Sequence, residues 1–147
     1  MKTLCKALFV LSIALVVGCG SSNNGGNGTS IVGTWKNATI SRDGQTPVTC
    51  PGQMVINGNI DDTCGANDTI TFNANGTYSI NDGDGARGGT YTLANGTLTL
   101  TMTTAGGQAV NPPVVEMWHI ALNGNTYTAR EVQNNAETGK NDTWTKQ

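Results

Sequence analysis

Ile70-Thr71-Phe72-Asn73-Ala74-Asn75-Gly76-Thr77-Tyr78-Ser79-Ile80 is the stretch whose reading decides the fold. On either side of Ala74-Asn75-Gly76, apolar and polar residues alternate with a period of two, which is the pattern of a half-buried strand. A three-residue loop with Gly76 at a left-handed position sets Phe72 opposite Tyr78 and Ile70 opposite Ile80, all on one face. A slip of one residue would turn every side chain over, so this register is strongly specified.

The same test registers two more hairpins. An Asn95-Gly96 turn pairs Leu93 with Leu98 and Tyr91 with Leu100, and a turn within residues 123–125 brings Leu122 and Ile120 to the face of Tyr127 and Ala129. No window after Ile31 carries a helical period. The alternating runs are 31–40, 69–73, 77–80, 89–93, 97–103, 114–122, 126–132 and 142–146, which makes eight strands. One face is apolar and the other rich in Thr, Ser and Asn, as in a sandwich leaf or a barrel wall.

If the strands run up and down in sequence order, the three tight turns share one end. The stretches 41–68, 81–88, 104–113 and 133–141 then collect at the other end as long connections. The arrangement describes a cup, provided that 41–68 adds no single extra strand; Gln53 to Asn57 is the segment that would spoil the count.

Composition agrees with an all-β domain. The 147 residues include 20 glycines and are 37% hydrophobic but only 12% charged, with a net charge of -2. That charge excludes the basic footprint of a nucleic-acid binder, and one domain is the natural reading of the length.

Upstream of the strands, Lys2 and Lys6 precede an apolar run from Ala7 to Val17 that is broken only by Ser12. The run is shorter than the about 20 residues that a membrane-crossing helix requires, and it reads as a signal peptide. Val16-Val17-Gly18-Cys19 resembles the lipobox of bacterial lipoproteins, which implies cleavage before Cys19 and lipid on its thiol. Residues 1–18 are therefore expected to be a lipoprotein signal peptide, 19–30 the lipidated cysteine with a Gly/Ser/Asn tether, and 31–147 the folded domain. Two or more acyl chains would anchor it durably. Removal of Lys2 and Lys6 leaves no polybasic patch for an anionic bilayer.

Once Cys5 is cleaved away and Cys19 lipidated, Cys50 and Cys64 remain, and in an exported domain they are expected to form a disulfide. Zinc is the competing reading, but two cysteines at this spacing and one histidine in the chain make a poor site.

Ile31-Val32-Gly33-Thr34-Trp35-Lys36 contains the Gly-x-Trp signature of lipocalins. Together with Ile70 to Tyr78 and Gly89-Thr90-Tyr91-Thr92-Leu93 it resembles the lipocalin-like (calycin superfamily) domains of bacterial lipoproteins. The resemblance implies an eight-stranded antiparallel up-and-down barrel whose narrow end is closed by Gly33 and Trp35 beneath a basic residue of the last strand, here Lys146. It also differs from lipocalins proper, which often carry a Thr-Asp-Tyr-like turn where this chain has Asn123-Gly124-Asn125, and which usually use Arg as the basic partner.

Parity turns Phe72, Tyr78, Tyr91, Glu116, Trp118, Tyr127 and Glu131 inward as candidate ligand-facing residues, with the two carboxylates near the open end. Those carboxylates are either solvated rim residues or partners for a cationic or hydroxyl group of a ligand. Nothing beside them supplies a nucleophile, so no catalytic residues are assigned. His119 falls on the outer face opposite Arg130. Asn81-Asp82-Gly83-Asp84-Gly85 is a turn rather than an EF-hand loop, since the third oxygen position and the terminal Glu are missing. No metal or cofactor is expected.

Eight strands stand near the size at which side chains fill the middle or leave one small cavity. Two functions follow from that choice. One is a lipid-anchored envelope protein that binds a small, mainly apolar ligand without catalysis. The other is a filled barrel that acts as a structural or protein-interaction lipoprotein, with an envelope protein as partner. Either would sit at the periplasmic face of the outer membrane or at the cell surface, held by its lipid and not by nucleic acid.

Overall fold

Alternation of threonine with apolar residues recurs along the chain from Ile31 onward, and among the described residues every element is a strand. A computed structural model of the protein describes residues 30–83 and 85–147. The expected signal peptide, Cys19 and all of the tether but Ser30 lie outside the described residues. In chain order the strands are β1 (Gly33–Arg42), β2 (Val48–Thr49), β3 (Gly52–Ile56), β4 (Asn59–Cys64), β5 (Thr69–Phe72), β6 (Thr77–Asp82), β7 (Gly85–Ala94), β8 (Thr97–Ala105), β9 (Gln108–Asn123), β10 (Thr126–Gln133) and β11 (Ala136–Lys146).

The barrel wall follows sequence order. Strands β5 to β11 pair antiparallel with their neighbours, β1 lies beside β5, and β11 pairs back onto β1 to close eight strands into a ring. The three expected registers are present: Phe72 faces Tyr78 and Ile70 faces Ile80; Leu93 faces Leu98 and Tyr91 faces Leu100; Leu122 faces Tyr127 and Ile120 faces Ala129.

The expected end of long loops needs correction. At three of its four connections the flanking strands run on, paired, well beyond the apolar pattern. β6 runs to Asp82 and pairs it with Gly85, where β7 begins, while β8 and β9 meet across Gly106-Gly107 and β10 and β11 across Asn134-Asn135. The last two pairs have φ of 56° and 76°, and of 51° and 62°. Two successive positive φ values make the turn whose twist matches the flanking strands, and Gly-Gly and Asn-Asn tolerate it. Beyond the core these strands carry Thr, Gln and Asn on both faces, so their pairing continues where hydrophobic alternation stops.

Only residues 43–68 form a long connection. Within it, β2 extends the sheet beside β1, whereas β3 and β4 pair with each other alone, so the segment around Gln53 becomes a strand without altering the barrel's count. Cys50 and Cys64 form the expected disulfide at the base of this hairpin. Buried Met54, Ile40 and Cys64 make a small second core, with Val48, Cys50 and Ile56 packed around it.

Inside the barrel the main core joins Ile31, Trp35, Phe72, Tyr78, Leu98 and Tyr127, among others. Aromatic rings meet edge to face, with Trp35 and Tyr127 at 4.9 Å and Phe72 and Tyr91 also at 4.9 Å between centroids. This half of the interior is filled.

Candidate functional site

The floor of the barrel is built from the ends of β1 and β11. Trp35 is fully buried, and its indole Nε1 donates to the Ile31 carbonyl at 2.6 Å. Register places Lys146 opposite Trp35, with Nζ 5.1 Å from the ring centroid and donating to the Ser30 carbonyl at 3.4 Å. Gly33 holds φ at 131°, and a Cβ there would stand 2.9 Å from the Lys146 Cε. The three residues named from the Gly-x-Trp signature thus come together as a plug.

Above the plug lies a cavity of about 720 Å³. Ile70, Leu98, Leu100, Trp118 and Trp144 give it an apolar wall, so the interior is filled below and hollow above. Glu116, Trp118, Tyr127 and Glu131 line it. Phe72, Tyr78 and Tyr91 are in or against the barrel's main core, as their parity requires, but are not among the residues that line the cavity. Phe72 packs edge-on against Tyr91, whose hydroxyl donates to the Asn73 carbonyl at 3.0 Å. Parity fixes which way a side chain points but not its height along the barrel. Burial pushes the Tyr78 hydroxyl up to about 12, with the Glu116 charge adding to it and Arg87 opposing it.

The β3–β4 hairpin supplies one side of the mouth. Asp62 of β4 pairs with Lys140 of β11 at 2.9 Å, and Asp61 pairs with Arg42 at 2.7 Å. Asp62, Lys140 and residues beside the disulfide line the cavity. Arg87 is bonded to Asp82 across the rim, and Glu131 accepts the Thr138 hydroxyl at 2.7 Å.

The most buried polar groups are Asn37, 7% exposed, and Asp142, 8% exposed. Both line the cavity, and Oδ1 of each accepts no hydrogen bond from the protein. Burial foremost raises the Asp142 carboxyl to about 6, with the Asp62 and Glu131 charges adding to it and Lys140 opposing it. For Lys140, burial favours the neutral form, but the Asp62 hydrogen bond and the surrounding carboxylates outweigh it and the shift is upward. Tyr127 is raised by burial and then by Asp142. Sequence reasoning passed over Asn37, Asp62, Lys140 and Asp142. For the last two a signal existed, because Lys140, Asp142, Trp144 and Lys146 share one parity on β11.

Outside the barrel, His119 stands opposite Arg130. His119 Nδ1 lies 2.9 Å from one Glu137 oxygen and Arg130 Nε 2.6 Å from the other, while Arg130 also reaches Asp43. The His119 hydrogen bond foremost, with the Arg130 charge, holds Glu137 below the usual carboxylate range. This is an exposed ion-pair network away from the cavity. Among the described residues no three His, Cys, Asp or Glu side chains are grouped to hold a metal ion, and there is no helix long and apolar enough to cross a membrane.

No curated protein matches the chain. The lipocalin-like domain family matches residues 31–126, from the start of the plug to the first residue of β10. That match covers well over half of the sequence, and β10 and β11 complete the ring that it begins: the chain belongs to the lipocalin-like domain family.

Proposed function

We propose that the protein is a lipid-anchored binding protein of the bacterial cell envelope that takes a small, mainly apolar ligand into its barrel and performs no chemistry on it. The observation that carries this reading is the cavity of about 720 Å³, within the roughly 300–1,000 Å³ range of small-molecule sites. Its wall combines apolar and aromatic side chains, among them Leu98, Leu100, Trp118 and Trp144, with polar and charged groups in comparable measure, so that it offers both a surface for an apolar body and groups to orient it. The anchor rests on the charged-then-apolar leader and on Val16-Val17-Gly18-Cys19.

Native mass spectrometry of the protein from its bacterial host tests the ligand. A co-purified mass lost on denaturation is the expected result. A bare protein that also fails to bind apolar fluorescent probes would turn the reading to a structural or protein-interaction lipoprotein. Exposed Val55 and Ile60 on the hairpin, with Val114 and Val115 on β9, support that second reading. The anchor has its own test: Cys19→Ala should release the protein from the membrane fraction, and continued membrane association would refute lipidation at Cys19.

A further inference from the structure

Two acceptors in the cavity wall lack donors. The β1 bulge between Asn37 and Thr39 leaves both Asn37 and Ile40 facing the cavity, and register sets Ile40 opposite Asp142 on β11. Asn37 and Asp142 therefore sit on adjoining strands and on the same inner face. Each is more than nine-tenths buried with Oδ1 unbonded. Buried acceptors without partners are rare in folded proteins and call for a specific explanation.

Charge around them narrows what would satisfy them. Six carboxylates and two basic side chains line the cavity. Lys140 is taken up by Asp62, and Arg87 by Asp82. Glu116, Glu131 and Asp142 have no basic side chain paired with them among the ion pairs of the described residues. An anionic head would meet a negative field, and a hydroxyl offers one donor. An ammonium offers three donors together with a positive charge.

We propose that Asn37 Oδ1 and Asp142 Oδ1 form a head-group subsite for a primary ammonium carried on an otherwise apolar ligand, whose body packs on Leu98, Leu100, Trp118 and Trp144. The subsite deepens the small-molecule reading above and rests on it. It also accounts for a carboxyl that burial keeps partly protonated near neutral pH: an ammonium beside Asp142 favours its charged form, so binding near pH 6 releases a proton.

Octylammonium, octanol and octanoate share one apolar body and differ in their heads. Each is titrated into the full chain at pH 7 and followed by tryptophan fluorescence, since Trp118 and Trp144 line the cavity. Octylammonium should bind tightest, roughly tenfold or more over octanol, with octanoate weakest. Asp142→Asn should bring octylammonium to within about twofold of octanol, as expected when the charge that favours the ammonium is removed. Equal affinities for all three heads, or octanoate tightest, overturn the ammonium subsite and leave the apolar-ligand reading standing. Binding of none of the three overturns both. If Asp142→Asn does not fold, the ranking on the wild-type protein decides alone.

Discussion

The lower and upper halves of the barrel are made by the same strands and the same two-residue alternation, yet they are built to opposite ends. Below, Ile31, Trp35 and Phe72 are almost wholly buried and ring meets ring at 4.9 Å. Above, the inward positions go to Asn37, Glu116, Glu131, Lys140 and Asp142, and a cavity opens among them. Filling a barrel's interior gains apolar burial and dispersion contacts. Leaving it hollow and placing unbonded acceptors in the wall gives up part of that gain, so the upper half contributes less to stability than the lower. At that end the disulfide-linked hairpin packs on Ile40 of β1 through a small core of its own.

Trp35→Ala should break the comparison from below with the largest effect. Deleting a large buried aromatic costs about 3–5 kcal/mol, a large part of the total stability of an ordinary domain. The urea midpoint should fall accordingly, while probe affinity in the folded fraction stays near wild type because Trp35 does not line the cavity. A loss under about 1 kcal/mol would mean that the plug is not what holds the barrel shut.

The paired change Cys50→Ser with Cys64→Ser attacks from above. Opening a loop with a sequence separation of 14 should cost roughly 3 kcal/mol in the chain-entropy model. Its signature should be local. Amide exchange should quicken in β3 and β4, which pair only with each other, while β5 to β8 keep their protection. Uniform acceleration throughout the barrel would show that the hairpin belongs to the main cooperative unit and that the two halves are energetically one.

The lower half was legible in the sequence because each of its levels repeats one signal. Phe72 with Tyr78 leaves a single register that buries both partners. The polar ribbons were not, because Thr103 to Ala105 and Gln108 to Asn111 present no apolar face; only Gly106-Gly107 and Asn134-Asn135 marked their turns. In the site, Glu116 and Glu131 followed from parity. Asp62 could not, since its meeting with Lys140 joins residues far apart in the chain across a hairpin that touches no other strand by backbone pairing. The unsatisfied state of Asn37 and Asp142 depends on what every neighbouring strand fails to offer them, which no local pattern records.

Asp142→Asn sharpens the contrast with a smaller and opposite effect. The carboxyl is pushed up to about 6 in the folded protein from an ordinary value of 3.8. Between those values the folded state holds the proton more tightly than the unfolded chain does, so rising pH removes stability, and the penalty is complete above pH 6. Its size is up to roughly 3 kcal/mol. Asn carries no charge to desolvate, so the variant should melt higher than wild type at pH 7, and the difference should close as pH falls toward 4. The same change should remove the preference for an ammonium, a gain in stability matched by a loss of binding. A variant less stable than wild type at pH 7 would show that Asp142 contributes more through Lys140 than its burial costs.

Lys146→Met makes the smallest change, and it separates shape from charge within the plug. Met fills much of the space of the lysine stem against Gly33 but loses the cation over Trp35 and the bond to the Ser30 carbonyl. A cation over an indole ring at a partly exposed site contributes about 0.5–1 kcal/mol, and one hydrogen bond adds about 1 kcal/mol. The expected loss is therefore around 1–2 kcal/mol by chemical denaturation, below that of Trp35→Ala, with binding of all three octyl probes unaltered because Lys146 lies beneath the cavity and does not line it. Lys146→Ala should cost more than Lys146→Met by the packing of the stem alone. If Met and Ala cost the same, the lysine closes the barrel by its charge; if Met costs nothing, it closes the barrel by its bulk, and the basic character of the last strand has no part in holding the lower half together.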